Sequence, residues 1–247
     1  MRLVPRMCPL RSILVAALAV SLLGLPEVAT AANAPTNGSE PADSIAPSQV
    51  AGGRDTAIRF LDFDHTRVYG APASVRGQVT TRVQGGRRAL QGVHVRLYRK
   101  VNGTGSWRFI ASRRTSETSR PQFKFAATSI ANSAYKVVFG GNSTYRRSHK
   151  TTVVLAYRAL NPRLEDRTGI FHGRVAPRYP HRVVYLDKRV CARCGWQRVR
   201  ITRTGDHGFW RFVVNAPASG RWWWRAGTPA STRFVRSYSG IYTTELS

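Results

Sequence analysis

Cys191 and Cys194 are the residues most suggestive of chemistry, because a Cys-x-x-Cys spacing serves three purposes. A redox pair needs its first thiolate stabilised at a helix N-terminus. A zinc site needs four ligands, and this motif supplies two. His181 and His207 could be imagined as the others, but they are not suitably spaced. A disulfide needs only an oxidising compartment and an even count.

The acidic cluster Asp62-Phe63-Asp64-His65 comes next. In a strand, Asp62 and Asp64 share a face about 7 Å apart, a separation that suits a cation or a carboxylate pair. The same residues also fit a solvated strand face running into a turn. The six histidines are scattered. No serine or cysteine has the sharp turn and basic partner of an activated nucleophile, and no glycine-rich phosphate loop is present. The sequence therefore argues against an enzyme and predicts no cofactor and no metal.

The third group is Trp222-Trp223-Trp224, bracketed by Arg221 and Arg225. Strand alternation sends Trp222 and Trp224 to the core and turns Arg221, Trp223 and Arg225 outward. That outward trio is a candidate ligand surface. It can offer a stacking platform for sugars or bases, or it can be arginine stems packed over an exposed indole.

What positions these residues is legible from texture. Arg2, Arg6 and Arg11 precede an apolar run from Ser12 to Leu25, and Ala29-Thr30-Ala31 offers small residues for cleavage. Residues 1–31 thus read as a signal peptide. Its apolar run is too short for a membrane span, and none follows in the mature chain. Cleavage removes Cys8 and leaves Cys191 and Cys194 as a pair. Residues 32–54, rich in Ala, Pro, Ser and Gly, read as a disordered leader.

From Ala57 onward, short alternating runs such as Val93–Leu97, Phe123–Phe125 and Tyr135–Phe139 read as strands. They recur. Gly77-Gln78-Val79 returns as Gly173-Arg174-Val175, and Val95-Arg96-Leu97 as Val184-Tyr185-Leu186. Trp107 returns as Trp196, Phe123-Lys124-Phe125 as Trp210-Arg211-Phe212, and Tyr135-Lys136-Val137 as Trp222-Trp223-Trp224. A repeat of roughly 90 residues with about seven strands has the size of an immunoglobulin-like sandwich. The reading is all-β, with two tandem immunoglobulin-like β-sandwich domains at 55–157 and 158–247. In this alignment Cys191 falls on Asn102 and Cys194 on Gly105, within a hairpin turn. The cysteines then staple a hairpin tip.

On these strand and turn motifs, both repeats resemble the bacterial Ig-like repeats of secreted and surface proteins of actinobacteria. The resemblance implies a fold and carries no catalytic residues. Repeat one departs from the pattern at Ser116 to Gln122, where the usual glycine-containing turn is absent.

The charge is lopsided: 39 Lys+Arg against 12 Asp+Glu, net +27. Such a surface attracts anionic polymers, whether or not binding was selected. The expectation is a secreted, non-enzymatic adhesion, interaction or spacer module with a protein or glycan ligand, possible cell-wall association included. The alternative is a basic protein that binds a wall polymer, acidic glycan or nucleic acid.

Overall fold

The computed structural model describes residues 53–165 and 168–245. The expected signal peptide and nearly all of the expected leader lie outside the described residues. Arg54, at the leader's end, is already bound to the body of the fold: its N–H donates to the Thr144 carbonyl at 2.9 Å, and its carbonyl accepts from Arg146.

All regular structure among the described residues is β. The first nine strands are β1 (Thr56–Phe63), β2 (Thr66–Val68), β3 (Pro72–Val83), β4 (Gly86–Ala89), β5 (His94–Val101), β6 (Arg108–Arg114), β7 (Phe123–Thr128), β8 (Ser133–Phe139) and β9 (Ser148–Tyr157). They form two sheets. In one, β3 pairs with β1 on one side and with β7 and β4, end to end, on the other. The second sheet runs β2-β9-β8-β5-β6. Alternation sends Val75, Val79, Phe123 and Phe125 from one sheet, and Val95, Leu97, Tyr135 and Val137 from the other, into a shared core.

The remaining strands are β10 (Pro162–Glu165), β11 (Ile170–Arg174), β12 (Val183–Arg189), β13 (Gln197–Arg203), β14 (Phe209–Val213), β15 (Arg221–Thr228), β16 (Ser237–Tyr238) and β17 (Tyr242–Glu245). A β10-β11-β14 sheet faces a sheet in which β13, β12 and β15 are followed by β16 and β17, both paired to β15. Phe171, Val184, Leu186, Trp210, Phe212, Trp224 and Ala226 fill the core between them. Each sandwich thus places its first, second and fifth principal strands opposite the third, fourth, sixth and seventh, which is the immunoglobulin-like order with one extra edge strand.

The repeat is visible in the register itself. Gly77 lies opposite Phe123, and Gly173 opposite Trp210. Both third strands also carry a bulge at the same step, after Leu97 and after Leu186. Register corrects the sequence alignment at one place. Tyr135 faces Arg99 while Trp224 faces Lys188, so Tyr135 matches Trp224 and not Trp222. A two-residue slip leaves every side chain on the same face. It explains why Trp224 is fully buried while Trp222 is only half-buried at the edge of the core.

The two sandwiches meet at a joint. Ala131, Ala156 and Phe234 are buried together, with Tyr69 and Val101 packed against them. The Thr232 carbonyl accepts hydrogen bonds from the side-chain amides of Asn102 and Asn132. The Arg158 guanidinium lies between the rings of Tyr179 at 4.3 Å and Phe234 at 4.1 Å. Burial lowers the pKa of Arg158. An arginine stays charged regardless, so the two rings supply the cation–π contacts that offset lost hydration.

Candidate binding surface

Strand pairing decides which residues share the solvent face of the β13-β12-β15 sheet. Arg189 is paired with Trp223, Asp187 with Arg225, Asp187 with Arg198, and Gly227 with both Tyr185 and Tyr238. Pairing places these side chains on the face opposite Leu186 and Trp224, which point into the core.

Stacking then orders them. The Arg189 guanidinium lies 5.1 Å from the Trp223 ring and 5.0 Å from the Trp196 ring. Arg225 lies 4.3 Å from the Trp196 ring and 3.7 Å from that of Tyr238. The result is a continuous ladder: Trp223, Arg189, Trp196, Arg225, Tyr238. Each step falls within cation–π range.

Beneath the ladder sits Asp187, whose side chain is only 5% exposed. It accepts from Nε and Nη2 of Arg225, both at 3.2 Å, and approaches Nε of Arg198 at 3.5 Å. Arg198 in turn covers the Tyr185 ring at 3.7 Å. That ring lies flat over Gly227, where an added Cβ would come within 2.3 Å of it. The Tyr185 hydroxyl donates to the Thr228 carbonyl. Burial, then the contact with Tyr238, pushes the Tyr185 pKa well above the usual phenol value, so the group remains a proton donor.

The expected trio is thus distributed as follows. Trp223 points outward, and its cation partner is Arg189 from the neighbouring strand. Arg221 is drawn to Glu245, at 2.6 Å between Nη2 and Oε2. Arg225 is half-buried over Asp187. Sequence reading missed Arg189, Trp196, Asp187 and Tyr238 as members of this face. A signal existed: the 89-residue offset that joins Trp107 to Trp196 also joins Lys100 to Arg189 and Lys136 to Arg225.

Cys191 and Cys194 are joined by a disulfide with a Cα–Cα distance of 5.1 Å. It closes the tip of the β12–β13 hairpin, and the Cys194 N–H donates to the Cys191 carbonyl. The acidic cluster is engaged elsewhere. Asp64 binds Arg67 and accepts from the Ser74 backbone N–H at 2.6 Å, so its carboxylate holds a turn. Among the described residues no group of three or more His, Cys, Asp or Glu could hold a metal ion. Also among them, no helix is long and apolar enough to cross a membrane.

No family model matches this chain, and no curated protein does. Solved structures give remote overlaps. The sulfur carrier protein SoxY from Chlorobium limicola f thiosulfatophilum is 13% identical, over 43% of this chain and 87% of that one, with a TM-score of 0.28. The human OSCAR ligand-binding domain is 14% identical over 76% of this chain and 97% of its own, with a TM-score of 0.24. Tp47, the 47-kilodalton lipoprotein of Treponema pallidum, is 10% identical over 78% of this chain, with a TM-score of 0.30; the chain covers 52% of its length. These scores are low, and the sandwich fold follows from the strand order described above.

Proposed function

We propose that this protein is an exported, non-enzymatic interaction module that holds a protein or glycan partner on the solvent face of the β13-β12-β15 sheet. One observation carries the reading: Trp223, Arg189, Trp196, Arg225 and Tyr238 form a single ordered ladder on that face. Tryptophan, tyrosine and arginine supply most of the energy at protein interfaces. Stacking against one another fixes their rotamers before a partner arrives, which lowers the entropy lost on binding. The disulfide fits a chain that matures outside a reducing compartment.

The general positive charge makes a different prediction from the ladder. Binding through counterion release alone weakens steeply between roughly 50 and 200 mM salt, whereas stacking is less sensitive. The test is fractionation of the producing cells into envelope and medium, with washes across that salt range. Retention on the envelope at the upper end supports the ladder reading. Complete release there would leave only non-selective attraction and overturn it.

A further inference from the structure

Two of the departures of the first sandwich from the second build one cleft. The first is the length of β3. Its twelve residues extend past β7 and pair at the far end with β4, through Thr80–Ala89 to Val83–Gly86. The corresponding β11 has five residues and pairs only with β10 and β14 among the described strands. The second is the segment 116–122. Where the second sandwich has the tight turn Gly205–Gly208, the first has a loop long enough to fold over the sheet.

That loop is tied down. The Ser116 N–H donates to the Gln122 carbonyl at 2.9 Å, and the Gln122 N–H returns a bond to Ser116 Oγ at 3.0 Å. The Gln91 side chain donates to the Thr118 carbonyl at 2.9 Å. Pro121 is buried. Arg120 is thereby held at the rim of a half-open cleft of about 540 Å³ on the outer face of the sheet. Arg59 from β1 and Arg87 from β4 line the same cleft, and Gln78 and Thr80 of β3 are part of its lining. Arg87 approaches Thr80 Oγ1 at 3.5 Å.

Three exposed guanidiniums from three separate elements therefore share one concavity. Among the described residues none of the three makes an ion pair, although Glu117 lies three residues before Arg120 on the same loop. Concentrating like charge in this way costs energy unless an anion relieves it. A carboxylate accepts one planar fork on one edge. A phosphate or sulfate presents oxygens in several directions and can take forks from three sides. The volume lies in the range of small-molecule sites, large enough for such a group with part of the residue that bears it.

We infer that the cleft lined by Arg59, Arg87 and Arg120 is a binding site for a phosphate or sulfate ester, separate from the aromatic ladder of the second sandwich.

The test uses the full-length protein titrated with inorganic phosphate and with inorganic sulfate at roughly 150 mM sodium chloride, where non-selective charge pairing is largely screened. Arginine Nε–H NMR signals report occupancy. Two charge-matched variants are compared: Arg59→Gln/Arg87→Gln/Arg120→Gln, and Arg96→Gln/Arg113→Gln/Arg163→Gln, whose arginines are exposed on separate strands. Saturable binding is expected, weakened about tenfold or more by the cleft variant and no more than about twofold by the control. Trp223→Ala should leave it unchanged. Polyphosphate and dextran sulfate then identify the source, since a preference for either that disappears in the cleft variant fits the site. Equal losses in both variants, or no saturation with either anion, would overturn the inference.

Discussion

Trp196 holds the same place in the second sandwich that Trp107 holds in the first. Each indole sits at the start of the strand after the hairpin tip and lies within cation–π range of two cations. Trp107 lies 5.7 Å from Lys100 and 4.4 Å from Lys136, while Trp196 lies 5.0 Å from Arg189 and 4.3 Å from Arg225. The motif is therefore part of the repeat. The second copy extends it with Trp223 and Tyr238, where the same offset puts Ala134 and His149 in the first. This difference is why the proposed interaction face lies on the second copy.

Two glycines are fixed by what lies across the strand. A Cβ on Gly173 would sit 2.7 Å from the Trp210 ring and 2.8 Å from the carbonyl oxygens of both Asn161 and Leu160. On Gly77 it would meet the Arg59 carbonyl at 2.5 Å and the Phe123 ring at 2.6 Å. Backbone oxygens cannot step aside, so Gly77→Ala and Gly173→Ala should each cost about 1–3 kcal/mol in urea unfolding. Gly105, with nothing within 4 Å of its added Cβ, is the control and should change stability by about 0.5 kcal/mol or less.

The joint should couple the two sandwiches. Phe234 is 3% exposed, touches the buried Ala131–Ala156 pair and stacks on Arg158. Truncating it leaves a cavity and uncovers the guanidinium. Phe234→Ala should lower stability by about 3 kcal/mol. In calorimetry it should split a single unfolding transition into two, one for each core. A variant that melts as the native chain does would show that Phe234 transmits nothing across the joint.

Alkali should unfold the protein through its tyrosines. Burial raises the pKa of Tyr135, Tyr179, Tyr185 and Tyr242 above the ordinary value of 10.0. The unfolded chain releases these phenol protons first, so it binds fewer protons than the folded chain once the pH passes that value. Stability is then full below about pH 10 and falls as pH rises further. The urea midpoint should fall between about pH 9 and pH 11. No change over that interval would contradict the burial of these four rings.

Much of the fold was legible because strand alternation and repetition are local, countable properties. The spacing of Trp107 and Trp196, and of the Phe123 and Trp210 strands, was enough to mark an all-β chain with a repeated strand pattern. The Cys191–Cys194 staple followed from its place in a hairpin tip. The two-residue slip at Trp222–Trp224 was not legible, because tryptophans in a row fit a core pattern at either spacing. Only pairing with Lys188 decides between them. The ladder was half legible. Alternation gives the direction of Trp223, but Arg189 and Tyr238, which extend the ladder, arrive from neighbouring strands and are set by register. The Arg59–Arg87–Arg120 cleft was invisible, since its members are separated along the chain and meet only through β4 and the 116–122 loop.

The central claim is tested most directly by comparing the native protein with Trp196→Ala/Trp223→Ala for binding to isolated envelopes of the producing cells at roughly 150 mM salt. The double variant keeps every charge, so electrostatic attraction is unaltered. Base- or sugar-type stacking and interface contacts of large aromatics are worth about 1–3 kcal/mol each. The account predicts at least about a tenfold loss of affinity, with the unfolding midpoint of the first sandwich unchanged. Binding of both proteins with equal affinity would contradict it.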